Sequence, residues 1–182
     1  METIKAIYER RTTHVFISKK VPESIILKAI KAANQAPCHK LTFPWRFYSL
    51  GINKRNQIYE LAIQIKSSKT LLNQKLKNII KEKYHNPSHL LVVSQKLNDD
   101  QFIKKEDYAA CSCAIQNLSL SLTSDGVNTK WSTGIITRHP EIYNIIKIDS
   151  KLEEIIGFIW IGYGENSPKV SRPLISQIYK NI

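Results

Sequence analysis

"EIIGFIWIGYG", residues 154–164, is an almost unbroken apolar run rich in isoleucine and aromatic residues, punctuated by glycines. Its length and β-branched content read as a strand, and its lack of polar alternation reads as one covered on both faces. "HLLVVSQ", residues 89–95, is a second short apolar run and reads as a central strand. "WRFYSL", residues 45–50, alternates like a strand. "VNTKWSTG", residues 127–134, reads as a strand entering a turn.

Helical spacing fills the intervals. Residues 2–10 carry Ile4, Ile7 and Tyr8 at helical spacing. Pro22 and Glu23 suit the start of a second helix, with Ile26, Leu27, Ile30 and Ala33 as its buried stripe. Asn53 can cap a third helix through about Ile65, and a lysine-rich helix spans about 70–83. Residues 105–124 form the longest helix, with Ala109, Cys113, Gln116 and Leu120 along one side and Gly126 closing it in the left-handed conformation. Pro140 opens a short helix in "RHPEIYNIIKI", and the tail from Glu165 is extended, with two prolines. Strict βαβ alternation does not fit this order. An α+β layered sandwich is expected, one domain over residues 1–182, with a mostly antiparallel or mixed sheet.

The 182 residues carry a formal net charge of +12. Lysine outnumbers arginine 21 to 6 and isoleucine outnumbers leucine 27 to 15. That bias, with lysines spread along the chain, reads as codon preference rather than a nucleic-acid surface. No stretch approaches about 18 consecutive apolar residues, so no transmembrane helix is expected. The N-terminus lacks the apolar run of a signal peptide. Cys38, Cys111 and Cys113 do not make a disulfide framework, and the cytoplasm is the expected compartment.

Hydrolytic and metal chemistry find little support. G-x-G-x-x-G after the first strand, a P-loop and G-x-S-x-G are all absent. His85 and His89 are four apart, but Pro87 between them disfavours a helical metal pair. His39 and His139 suit surface or capping positions. "ERRTT" ends the first helix with Arg10 and Arg11 followed by two hydroxyls. That combination suits a phosphate through forked, charge-assisted hydrogen bonds, or equally complements a helix C-terminus. Lys169 and Arg172 in "SPKVSRP" form a charge cluster.

Taken in order, "ERRTTHVF", "VPESIILKAIKAANQAP", "HKLTFPWRF", the long small-residue helix ending at Gly126, "KWSTG" and "IIGFIWIGYG" resemble the flavin-dependent nitroreductase family. The nearest resemblance is to its compact, single-domain NAD(P)H nitroreductase branch, whose loop reads A-P-x-H-K ahead of P-W. The resemblance implies a homodimer with FMN at the subunit interface. NAD(P)H would be the reductant, and nitroaromatics, quinones or similar compounds the acceptors, by a ping-pong mechanism. It implies that Arg10, Arg11 and Thr12 hold the phosphate and ribityl end, and that Trp131, Ser132 and Thr133 line the flavin. Gln35 and His39 would reach the FMN bound mainly by the partner subunit, and Arg172 would aid the phosphate. Ser121, Leu122, Thr123, Ser124, Asp125 and Gly126 fall where that branch is assigned nicotinamide-nucleotide contacts. The chemistry is the cofactor's, so no catalytic side chain is implied. Three features depart from the pattern: Phe43 replaces the usual Gln before Pro-Trp, Gln35 replaces a common basic residue, and "GVNTKW" holds one glycine. Flavin destruction or reductive dehalogenation are alternative activities, and a basic interaction domain is the non-enzymatic one.

Overall fold

The computed structural model describes every residue except Met1, Asn166, Ser167 and Lys169. Lys169, half of the expected tail cluster, therefore lies outside the described residues. In chain order the elements are α1 (Thr3–Glu9), α2 (Glu23–Ala33), β1 (Trp45–Ser49), α3 (Ile52–Ser67), α4 (Gln74–His85) and β2 (His89–Lys96). There follow α5 (Gln101–Ser124), β3 (Asn128–Ser132), α6 (Pro140–Ile146), β4 (Glu153–Gly162) and a single turn, α7 (Ile175–Ile178).

The four strands form one antiparallel sheet in the order β1-β2-β4-β3. β2 and β4 are central, and both faces are covered. On one face α2 and α5 bury Ile26, Ile115, Leu118 and Leu122 against Leu91, Val93 and Ile159. On the other, α3, α4 and α6 bury Ile58, Tyr84 and Ile142 against Leu90, Val92, Phe158 and Trp160. Burial on both sides is why these strands have no polar alternation. Between the pairs Val93–Gly157 and Ser94–Ile155 the register shifts, leaving Ile156 as the extra residue of a bulge in β4. It breaks the alternation in β4, so Ile156 and Ile159, three residues apart, share the α2/α5 face.

Several local expectations are corrected. In α1 only Ala6 is buried, while Ile4, Ile7 and Tyr8 are exposed. In α2, Ala29 takes the core position expected of Leu27, which is 52% exposed. α3 is entered from Gly51 rather than capped by Asn53. α4 begins at Gln74, where the Asn73 side chain accepts from the Leu76 N–H. α5 begins earlier than expected, because the Asp100 carboxylate accepts from Phe102 and Ile103. Its buried residues include Ala110, Cys111, Ala114, Ile115, Leu118 and Leu122, while on the side of Ala109, Cys113, Gln116 and Leu120 the first three are exposed and Leu120 is half-buried. The stripe that carries the large aliphatic residues wins the core, and the small residues beside it stay outside. Gly126 does close α5 with φ +72°.

Candidate functional site

α1 ends at Glu9, and the chain then runs alongside β3. Thr12 bridges Thr129 in parallel, and the Thr13 N–H donates to the Thr129 carbonyl at 3.0 Å. This pairing sets Arg10 and Thr12 beside Thr129, Trp131 and Thr133 along one wall of a cavity of about 400 Å³. The opposite wall is one face of α5: Tyr108, Ser112, Gln116 and Ser119, at i, i+4, i+8 and i+11. These α5 residues and Thr129 were missed as site residues. The signal that could have found them is that polar spacing, on the face next to the buried stripe.

The two adjacent arginines do different things. The Arg11 guanidinium donates to the carbonyls of Tyr8 at 2.7 Å and of Arg10 at 2.8 Å, so it caps the end of α1. Arg10 lines the cavity instead. Its pKa is pushed down by burial, then by the like charges of Arg172 and Arg11. Among the described residues, no carboxylate forms an ion pair with any of these three arginines. Arg11 and Arg172 do not line the cavity, so Arg10, under their like charges, is the guanidinium it presents to an anion.

Trp131 is 36% exposed, and its Nε1–H donates to the Ile156 carbonyl at 3.3 Å. That bond lays the indole across β4. Ser132 is half-buried and is not among the cavity-lining residues.

The loop from Asn34 to Trp45 is pinned at several points. The Trp45 Nε1–H donates to Asn34 Oδ1 at 3.0 Å, and the Thr42 hydroxyl donates to the buried Asp107 carboxylate. The Phe43 N–H points at Cys38 Sγ, 3.3 Å away. Lys40, Leu41 and Phe43 all take positive φ, at 53°, 54° and 43°, a conformation costly for side chains of this size. Gln35 and His39 are exposed on this loop, with His39 Nε2 3.8 Å from Glu106 Oε2. Neither lines the cavity of its own chain.

The stretch from Ser121 to Gly126 is not brought to the cavity. Leu122 is fully buried. The hydroxyls of Thr123 and Ser124 donate back to the carbonyls of Ser119 and Leu120, and Asp125 pairs with Lys28 at 2.8 Å. As the C-terminal end of a helix, this stretch presents partial negative charge, a poor match for a phosphate.

Other candidates resolve into structural roles. His85 contacts Asn56 and the Lys81 carbonyl, while His89 pairs with Glu23. No cluster of three or more metal-ligating side chains occurs among the described residues. The His139 ring accepts from the Glu141 N–H and caps α6. Burial, with Asp107 and Cys38 nearby, pushes the Cys111 thiol up to about 12. A larger depression of about 870 Å³ between α3 and α6 carries Glu60 and Glu141 but none of the candidate residues. Among the described residues no helix is long and apolar enough to cross a membrane.

Residues 7–163 match the sequence profile of the Nitroreductase family. "Putative NAD(P)H nitroreductase YfhC" of Bacillus subtilis (strain 168) is 32% identical over 169 residues, covering 91% of this chain and 86% of that protein. The crystal structure of a nitroreductase-like family protein from Bacillus cereus superposes with a TM-score of 0.86 at 23% identity, covering 100% of this chain and 96% of that one. An oxidized iodotyrosine deiodinase bound to FMN and 3-iodo-L-tyrosine superposes with a TM-score of 0.76 at 19% identity, covering 96% of each chain. The match spans the α1 end, both cavity walls and the whole sheet, and the chain belongs to the Nitroreductase family.

Proposed function

We propose that the chain is an FMN-dependent oxidoreductase that takes reducing equivalents from NAD(P)H and delivers them to nitroaromatic, quinone or similar electron-poor acceptors. The observation that carries this reading is Arg10, without a carboxylate partner among the described residues and under the like charges of Arg172 and Arg11, at a cavity walled by an indole. The residues present fit the cofactor. Arg10 and Arg172 would hold the phosphate, with Arg11 adding charge from the end of α1. Thr12, Thr133 and the polar α5 face offer hydrogen bonds to the ribityl chain. Trp131 offers a flat apolar wall to the ring system. FMN bound here supplies hydride acceptance from a nicotinamide and onward electron delivery. The chain's own residues bind, orient and shield, and no acid, base or nucleophile is assigned.

Gln35 and His39, exposed and not lining their own cavity, would serve the cavity of a partner subunit in a homodimer. Uncovered apolar groups support that assembly: Ile4, Ile7 and Tyr8 on α1, and Leu174, Ile175, Ile178 and Tyr179 in the tail. The nicotinamide would approach from the open side of the cavity, not through residues 121–126. Both substrates would then use the same opening in turn. Initial rates over a grid of NAD(P)H and quinone concentrations should give parallel double-reciprocal lines. Converging lines would require a ternary complex and overturn the shared opening. The likeness to a deiodinase favours reductive dehalogenation as the second reading. Anaerobic NAD(P)H separates the two: rapid bleaching of the flavin absorbance supports the reductase, and failure of both NADH and NADPH to bleach it removes that assignment.

A further inference from the structure

We propose that Gly157 is a positioning residue for the flavin cavity: it is the seat on which the Trp131 indole lies, and it thereby sets the cavity wall. The inference deepens the reading above and rests on it. A Cβ built on Gly157 would stand 2.1 Å from Trp131 Nε1 and 2.6 Å from Cδ1, with the Ser132 carbonyl at 3.2 Å. The first two distances lie far inside van der Waals contact, so any side chain at 157 displaces the ring. The glycine is not there for backbone freedom. Among the described glycines only Gly126 takes a positive φ, and Gly157 lies within β4 beside the bulged Ile156.

The register explains why the ring reaches this position. Trp131 pairs with Ile159, so Gly157 is its diagonal neighbour on β4. The indole crosses that diagonal and closes its hydrogen bond on the Ile156 carbonyl. The β4 bulge at Ile156, next to Gly157, falls at the same place. A methyl group at 157 would lift the ring, break the Nε1–H bond and move the wall that Trp131 gives the cavity.

The test is a double-mutant cycle of Gly157→Ala and Trp131→Ala, read by urea unfolding, acrylamide quenching and FMN titration. Trp45 and Trp160 are buried, so quenching reports chiefly on Trp131. Gly157→Ala should lower stability, make tryptophan fluorescence more quenchable and weaken FMN at least tenfold. In the Trp131→Ala background the same change should alter FMN affinity less than twofold and leave stability nearly unchanged. Equal losses in both backgrounds would mean that Gly157 acts through the backbone, and would overturn the proposal. So would weakened stability with unchanged FMN affinity. If the parent chain binds no FMN, the flavin reading fails separately, and the stability cycle still decides whether Gly157 seats Trp131.

Discussion

Arg10 and Arg11 are chemically identical neighbours with opposite assignments, and the difference is measurable. Arg11 satisfies two carbonyls at the end of α1. Arg11→Ala should cost about 0.3–1 kcal/mol of stability and change FMN affinity by less than threefold. Arg10→Ala should leave stability almost intact and weaken FMN by about 1.5–3 kcal/mol, the range for a hydrogen bond to a charged group. Equal effects of the two substitutions on FMN would show that the split is wrong. Arg55 is the buried counterpart. Its guanidinium donates to the carbonyls of Leu50, Pro87 and Ser88, at 3.0, 2.7 and 2.9 Å, tying α3 to the turn before β2. Arg55→Met strands three acceptors and should cost at least about 3 kcal/mol in urea unfolding. A loss below about 1 kcal/mol would mean that water replaces the guanidinium. Cys111 gives a pH prediction. Its folded pKa is raised from 9.0 to about 12, so the folded chain holds the thiol proton more tightly than the unfolded one. The associated stability is fully present below about pH 9 and is lost as pH rises towards 12. Cys111→Ala should flatten that alkaline decline, and an unchanged slope would assign it to other groups.

At the scale of elements, α5 shows what a sequence reveals and what it hides. Its existence and its stop at Gly126 are legible, because a 24-residue helix with a left-handed closing glycine leaves a strong pattern. Its buried face is not, because Ala, Ser and Cys surround the helix and hydrophobicity barely distinguishes one stripe from the next. The cavity wall of Tyr108, Ser112 and Gln116 reads as an ordinary solvated face until β3 and the Arg10 segment are placed against it. The same holds at 121–126, where a resemblance points to a nucleotide but the hydroxyls are spent on the helix itself. Thr123→Val and Ser124→Ala should therefore leave the KM for NAD(P)H within about twofold of the parent. A rise of tenfold or more in either variant would restore that stretch as nucleotide contacts. The strands were easier: β4 is apolar because both its faces are covered, and that alone implies layers on either side of a sheet. The bulge at Ile156 was illegible, since it depends on which β2 residues stand across from β4.

For the molecule as a whole, the uncovered apolar groups of α1 and the tail flank a chain with a net charge of +12. Sedimentation in dilute solution should give twice the 20.9 kDa chain mass, and a stable monomer that retains FMN would remove the shared-cavity account. The positive field should favour the anionic nucleotide, so the KM for NAD(P)H should rise with salt. Everything proposed for this chain depends on FMN binding in the cavity between β3, α5 and Arg10. Titrating FMN into flavin-free protein, while following flavin fluorescence, tests it most directly. Quenching should saturate at one FMN per chain, with Arg10→Ala at least tenfold weaker. Absence of quenching, or binding by Arg10→Ala indistinguishable from the parent, would contradict binding at this site.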